Sequence, residues 1–209
     1  MKKLILVTSL IVIGTAATIG VVVWLSKNQD TTSLSDSSAD AHHAATAEES
    51  LDQFNQLMGK VAPSFTLESY DGQNINLENF RGKKVVLFFT EGVMCYPSCW
   101  NQIAAFGKDG VFKSDSVTTL VITVDSKSQW KQAVDQMPEL ASMPVLLDTN
   151  KSVSQNYGVL TLPSSMHKGQ FPGHTYLILD KEGVVRYVLD DAQMGVRNTE
   201  LKAELEKIN

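Results

Sequence analysis

Uncharged and mostly apolar residues run without interruption from Leu4 to Leu25, and only then does the chain settle into short apolar bursts separated by polar turns. About 20 apolar residues at 1.5 Å rise suffice to cross the hydrocarbon core of a bilayer. Lys2 and Lys3 stand just before the run, and no small-residue cleavage site directly follows it. Residues 1–25 therefore predict a single transmembrane helix acting as an uncleaved signal anchor, with the lysines inside and the rest of the chain outside. This implies a single-pass protein of the cell membrane with its domain on the extracytoplasmic side. Residues 26–56, which include "SKNQDTTSLSDSSADAHHAATAEES", hold too few apolar positions to fold alone and read as a flexible polar tether. His42 and His43 fall in it and read as solvated rather than as metal ligands.

From residue 57 to 209 the pattern is that of one folded domain. Two short alternating segments flank Asp71-Gly72, a hairpin signal. The continuous apolar run "KKVVLFFT" (Lys83 to Thr90) predicts a strand buried on both faces, and "VTTLVITVD" (Val117 to Asp125) a second. Ile103, Ala104 and Phe106 share one side of a helix between them, and "SQWKQAVDQM" is a helix that Ser128 can cap. "MPVLLD" predicts a short strand and "NKSVSQNYGV" a short helix. "HTYLILD" and "VVRYVLD" flank "KEG" as a hairpin, and "NTELKAELEKI" ends the chain as an amphipathic helix capped by Asn198. Helices and strands in this order predict an α/β fold with a mixed central sheet flanked by helices.

The net charge of -5 comes with no basic cluster, so nothing points to nucleic acid. The informative chemistry is "MCYPSCW": Cys95 and Cys99 are the only cysteines, with three residues between them. A disulfide stabilises chiefly by closing a long loop, and this loop is tiny, so the pair reads as functional. Such a pair can exchange electrons, hold a metal or decompose peroxide. Thiolate is the reactive form, and the start of a helix favours it. Pro97 suits a first helical turn, and Trp100 reads as a cover over the site.

"APSFTLESYDGQNINLENFRGKKVVLFF", followed by a cysteine at a strand-to-helix turn, resembles the redoxin branch of the thioredoxin superfamily. That branch holds peroxiredoxins (the AhpC/TSA family), TlpA-like thiol-disulfide oxidoreductases and Sco-type copper chaperones. The resemblance runs from about Gly59 to Asn209 and implies a thioredoxin-like fold with no required cofactor. Peroxiredoxins carry Thr or Ser three residues before the reactive cysteine and an Arg near the later strand. Here Gly92 and His174 stand at those places, which disfavours a thiol peroxidase with antioxidant activity. Sco-type proteins pair C-x-x-x-C with a His ahead of the later strand, and "PGHTYLILDKEG" puts His174 there. Two thiolates and an imidazole suit copper, so Cys95, Cys99 and His174 form the alternative, copper-binding reading. Met166 and His167 lie on a neighbouring loop and read as ordinary loop residues. The leading expectation is thiol-disulfide exchange through Cys95 and Cys99, Cys95 the more reactive. Its partners would be protein thiols and disulfides or a membrane redox protein. A purely structural role ranks below both.

Overall fold

The structure is a computed structural model that describes residues 48–208. The apolar run Leu4 to Leu25, Lys2, Lys3, His42 and His43 lie outside the described residues, as does most of the expected tether. The strands are β1 (Thr66–Glu68), β2 (Asn74–Asn76), β3 (Lys84–Phe89), β4 (Val117–Thr123), β5 (Val145–Leu147), β6 (Thr175–Leu179) and β7 (Val185–Asp190). The helices are α1 (48–55), α2 (Ser98–Lys108), α3 (Lys127–Gln136), α4 (Ser152–Asn156) and α5 (Asn198–Lys207).

β1 and β2 pair around Gly72, whose φ of 88° is one that glycine adopts at little cost. The other five strands make one sheet in the order β5-β4-β3-β6-β7. β3 and β4 are parallel, as are β4 and β5, whereas β6 runs antiparallel to both β3 and β7. This is the mixed, helix-flanked thioredoxin-like sheet that the pattern predicts.

β3 explains the architecture. Successive side chains on a strand point to opposite faces. Val86 and Phe88 therefore join one core, with Ile103 and Phe106 of α2, Trp130 of α3 and Leu201 of α5. Val85, Leu87 and Phe89 join the other, with Phe54, Val153 of α4 and Tyr157. β6 divides likewise: Tyr176 and Ile178 face the first core, Leu177 and Leu179 the second. Both cysteines belong to the first core.

Three local expectations change. The stretch expected to be tether as far as residue 56 is helical over 48–55, and its Phe54 is only 1% exposed within the second core. α3 starts one residue early because Ser126, not Ser128, is the cap: its hydroxyl takes the Gln129 N–H while the Gln129 side chain returns to the Ser126 N–H. α5 is preceded by Arg197, and Asn198 does not cap it; its amide reaches α2 instead, donating to the Ala105 carbonyl at 3.0 Å.

Because Phe54 is fully packed, Phe54→Ala is expected to lower stability by about 3 kcal/mol, the usual cost of removing a buried aromatic ring. Thermal unfolding followed by circular dichroism checks this, and an unchanged midpoint would put residues 48–55 outside the cooperative unit.

Candidate active site

β3 delivers the chain into a corner that glycine alone can turn. After Thr90 and Glu91 comes a 3-10 turn, Gly92–Met94, and Gly92 has φ 64°. A Cβ on Gly92 would sit 1.8 Å from Asp125 Oδ2 and 2.2 Å from Thr123 Oγ1, so the corner requires the absence of a side chain. That same Oδ2 accepts the Val93 N–H at 2.9 Å and the Thr123 hydroxyl at 2.7 Å. The Gly92 carbonyl accepts the Cys95 N–H at 3.1 Å and the Trp100 indole N–H at 3.2 Å. Thr90 is used here as well, its hydroxyl oxygen taking the Gly92 N–H at 3.1 Å. Burial pushes the Asp125 carboxyl above the usual carboxylate range, with its hydrogen bonds opposing.

Cys95 and Cys99 are joined by a disulfide with Cα atoms 5.4 Å apart. Pro97 stands just before α2, at the cap rather than inside the first turn as expected. Cys99, not Cys95, is therefore the cysteine within the first turn of the helix. Both cysteines are buried, Cys95 at 3% exposure and Cys99 at 0%. Their neighbours Met94 and Tyr96 are exposed, and the Tyr96 ring stands edge-on to Trp100 with centroids 5.0 Å apart. Trp100 itself is buried beside the cysteines, as a cover over the site would be.

His174 reaches the cysteines across the sheet, from just before β6. Its Nδ1 lies 3.3 Å from Cys99 Sγ and its Nε2 2.6 Å from the Tyr176 hydroxyl oxygen. The imidazole is fully buried and meets the Phe88 ring edge-on at 4.8 Å. Burial lowers its pKa to about 4, with the Asp191 carboxylate pulling weakly the other way, so the ring is neutral at physiological pH. The candidate ligand atoms of Cys95, Cys99 and His174 lie within 4.8 Å of one another. Met166 and His167 are held elsewhere. Their backbone N–H groups donate to the Glu91 carboxylate at 2.6 and 3.1 Å, and the His167 ring approaches its other oxygen at 3.3 Å.

Four further residues shape this site without having been expected there: Glu91, Gln102, Asp125 and Tyr176, all buried. Glu91 and Asp125 each end an apolar run, where a charge has no place unless other backbone binds it. Tyr176 lies two residues beyond His174 and so on the same face of its strand. That alternation was the available signal.

Comparison with known proteins agrees with the fold. The AhpC/TSA family profile matches residues 58–188, and the chain belongs to that family. It is 35% identical over 135 residues to chloroplastic peroxiredoxin Q of Suaeda salsa, covering 64% of this chain and 59% of that protein. With peroxiredoxin Bcp of Escherichia coli K12 the identity is 29%, over 64% of this chain and 85% of the relative. The crystal structure of reduced Plasmodium vivax 2-Cys peroxiredoxin superposes with a TM-score of 0.56 at 26% identity, covering 69% and 78% of the two chains. The chain thus spans less than two thirds of the chloroplastic relative's length.

These findings overturn the expected location as a single-pass protein of the cell membrane. The relatives are peroxiredoxins, named chloroplastic in the case of the Suaeda salsa and Triticum aestivum proteins. Among the described residues no helix is long and apolar enough to cross a membrane. They also favour the peroxidase side of the redoxin branch over copper chaperones, despite Gly92 and His174 standing where Thr or Ser and Arg were sought.

The buried imidazole has a consequence for stability. Its pKa is about 4 folded and about 6.5 unfolded, so between these values the unfolded chain binds the extra proton and acid favours unfolding. His174 thus contributes stability that is whole above pH ~6.5 and declines as pH falls toward ~4. Urea unfolding at pH 7 and pH 4.5 should show wild type losing about 2 kcal/mol or more beyond what His174→Asn loses. Equal losses in the two proteins would contradict a neutral, buried ring.

Proposed function

We propose that the domain is a thiol oxidoreductase of the peroxiredoxin type, working through reversible closure of the Cys95–Cys99 disulfide. The observation that carries this reading is the disulfide itself: a short-range pair, buried at the β3–α2 corner, with no architectural loop to close. Family membership supports a peroxide as oxidant and a dithiol as reductant.

The cycle follows from general thiol chemistry. The Cys95 thiolate attacks one peroxide oxygen and the O–O bond breaks. The leaving alkoxide or hydroxide takes a proton, and Cys95 is left as a sulfenic acid. The Cys99 sulfur then attacks the Cys95 sulfur; the S–O bond breaks and water leaves with the Cys99 proton. An external dithiol reduces the disulfide through a mixed disulfide and is itself oxidised. Cys95 takes the first role because it precedes the helix between two exposed side chains, whereas Cys99 is sealed against His174. The copper-chaperone alternative has the donor cluster of Cys95, Cys99 and His174 in its favour and the family against it.

Reduced full-length protein is expected to consume hydrogen peroxide repeatedly when a dithiol is supplied, and Cys95→Ser to abolish this. Cys99→Ser should instead accumulate mixed disulfides through Cys95. Peroxide consumption that survives Cys95→Ser, or trapping through Cys99 alone, would overturn the assignment. A tight copper complex lost in His174→Ala, without peroxide turnover, would favour the alternative.

A further inference from the structure

The imidazole of His174 ends a chain of hydrogen bonds whose direction can be traced atom by atom from fixed backbone groups. The Arg197 N–H can only donate, and it donates to Gln102 Oε1 at 2.7 Å. The Ala105 carbonyl can only accept, and it takes the Asn198 amide N–H at 3.0 Å. Asn198 therefore turns its oxygen to Gln102, where it receives the Gln102 Nε2–H at 2.9 Å. Both anchors give Gln102 the same orientation, with Oε1 facing Tyr176. Since Oε1 carries no proton, the Tyr176 hydroxyl must donate to it, at 3.0 Å. Tyr176 then offers His174 only a lone pair, and the 2.6 Å contact requires the proton to sit on Nε2. In a neutral ring that leaves Nδ1 bare, 3.3 Å from Cys99 Sγ.

We propose that Tyr176 and Gln102 are positioning residues that lock His174 in its Nε2–H tautomer, so that reduced Cys99 donates its S–H to Nδ1 and is kept as a thiol while Cys95 serves as the thiolate. This deepens the redox reading above and rests on it only for the roles of the cysteines. The assignment of the tautomer stands on the hydrogen bonds alone. Gln102, His174 and Tyr176 are all 0% exposed, and the Gly195 backbone also hydrogen-bonds the imidazole. The opposite tautomer would place an N–H against Cys99 and stabilise its thiolate, making the two cysteines alike.

Ring nitrogen NMR of the full-length oxidised protein, labelled with ¹⁵N-histidine, reads the tautomer directly. The chain has four histidines, and the His174 signals are those lost in His174→Asn. Wild type should show a protonated Nε2 and an unprotonated Nδ1. Tyr176→Phe removes the acceptor and should give a mixture of tautomers. Gln102→Leu removes the acceptor of the tyrosine proton, so Tyr176 can donate to Nε2 and the ring should reverse to Nδ1–H. In the reduced proteins, the preference of an alkylating agent for Cys95 over Cys99 near neutral pH should fall by about tenfold in either variant, the effect of one pKa unit. Wild type with Nδ1–H, or variants that keep the wild-type tautomer with their fold intact, would overturn the proposal. Should one variant fail to fold, the other and the wild-type spectrum still decide it. The tautomer is measured without peroxide or partner. A correct tautomer in a protein that does not cycle its disulfide would therefore sink the redox reading and leave the positioning of His174 standing.

Discussion

The pairing of β3 with β6 is the constraint on which the site depends. Their antiparallel register sets Phe88 opposite Tyr176 and Phe89 opposite Thr175, which puts His174 level with the end of β3, where the cysteine corner begins. Side chains alternate along a strand, so a slip of one residue would turn Tyr176 to the far core and carry His174 with it. The register is held on both faces by apolar side chains with nowhere else to go, and Phe88 stacks on Tyr176 with ring centroids 4.7 Å apart. Core packing and site geometry are here one interaction.

Burial then sets the chemistry. A polar group taken from water costs roughly 1–3 kcal/mol unless it is hydrogen-bonded. The site meets that demand by joining Gln102, Tyr176 and His174 in one chain tied to backbone at Arg197 and Ala105. Glu91 does the same on the other side, fastening the 165–167 loop with its carboxylate, while Asp125 clasps the Gly92 turn from below. The helix start that favours a thiolate belongs to Cys99, yet the bare imidazole nitrogen beside it favours a thiol. The nucleophilic role proposed for Cys95 rests on its place outside the helix, between the exposed Met94 and Tyr96.

Much of this fold is legible in the chain because the signals are local. An unbroken apolar run marks β3, Asp71-Gly72 marks the β1–β2 turn, and apolar residues at helical spacing mark α2. Errors arose where two local signals compete. Ser126 and Ser128 can both cap α3, and only Gln129, three residues past Ser126, separates them. Phe54, with Leu51 and Leu57 at helical spacing, was hidden by the polar composition around it. The site is legible only in part. The cysteines identify themselves, whereas the place of His174 came through family resemblance. Gln102, Tyr176 and Glu91 have partners 74 to 96 positions away, so a local signal such as the charge that ends a run at Glu91 cannot say which distant groups they meet.

On the proposed function, Cys95 and Cys99 form a closed two-electron couple. Its most direct test is mass analysis of the reduced full-length protein after one equivalent of hydrogen peroxide. A closed couple gives a product two hydrogen atoms lighter, with a linked peptide containing Cys95 and Cys99, returned to the starting mass by a dithiol over repeated cycles. One oxygen retained on Cys95 as a sulfenic acid while Cys99 remains a free thiol, or a disulfide that a dithiol cannot open in the folded protein, would contradict it.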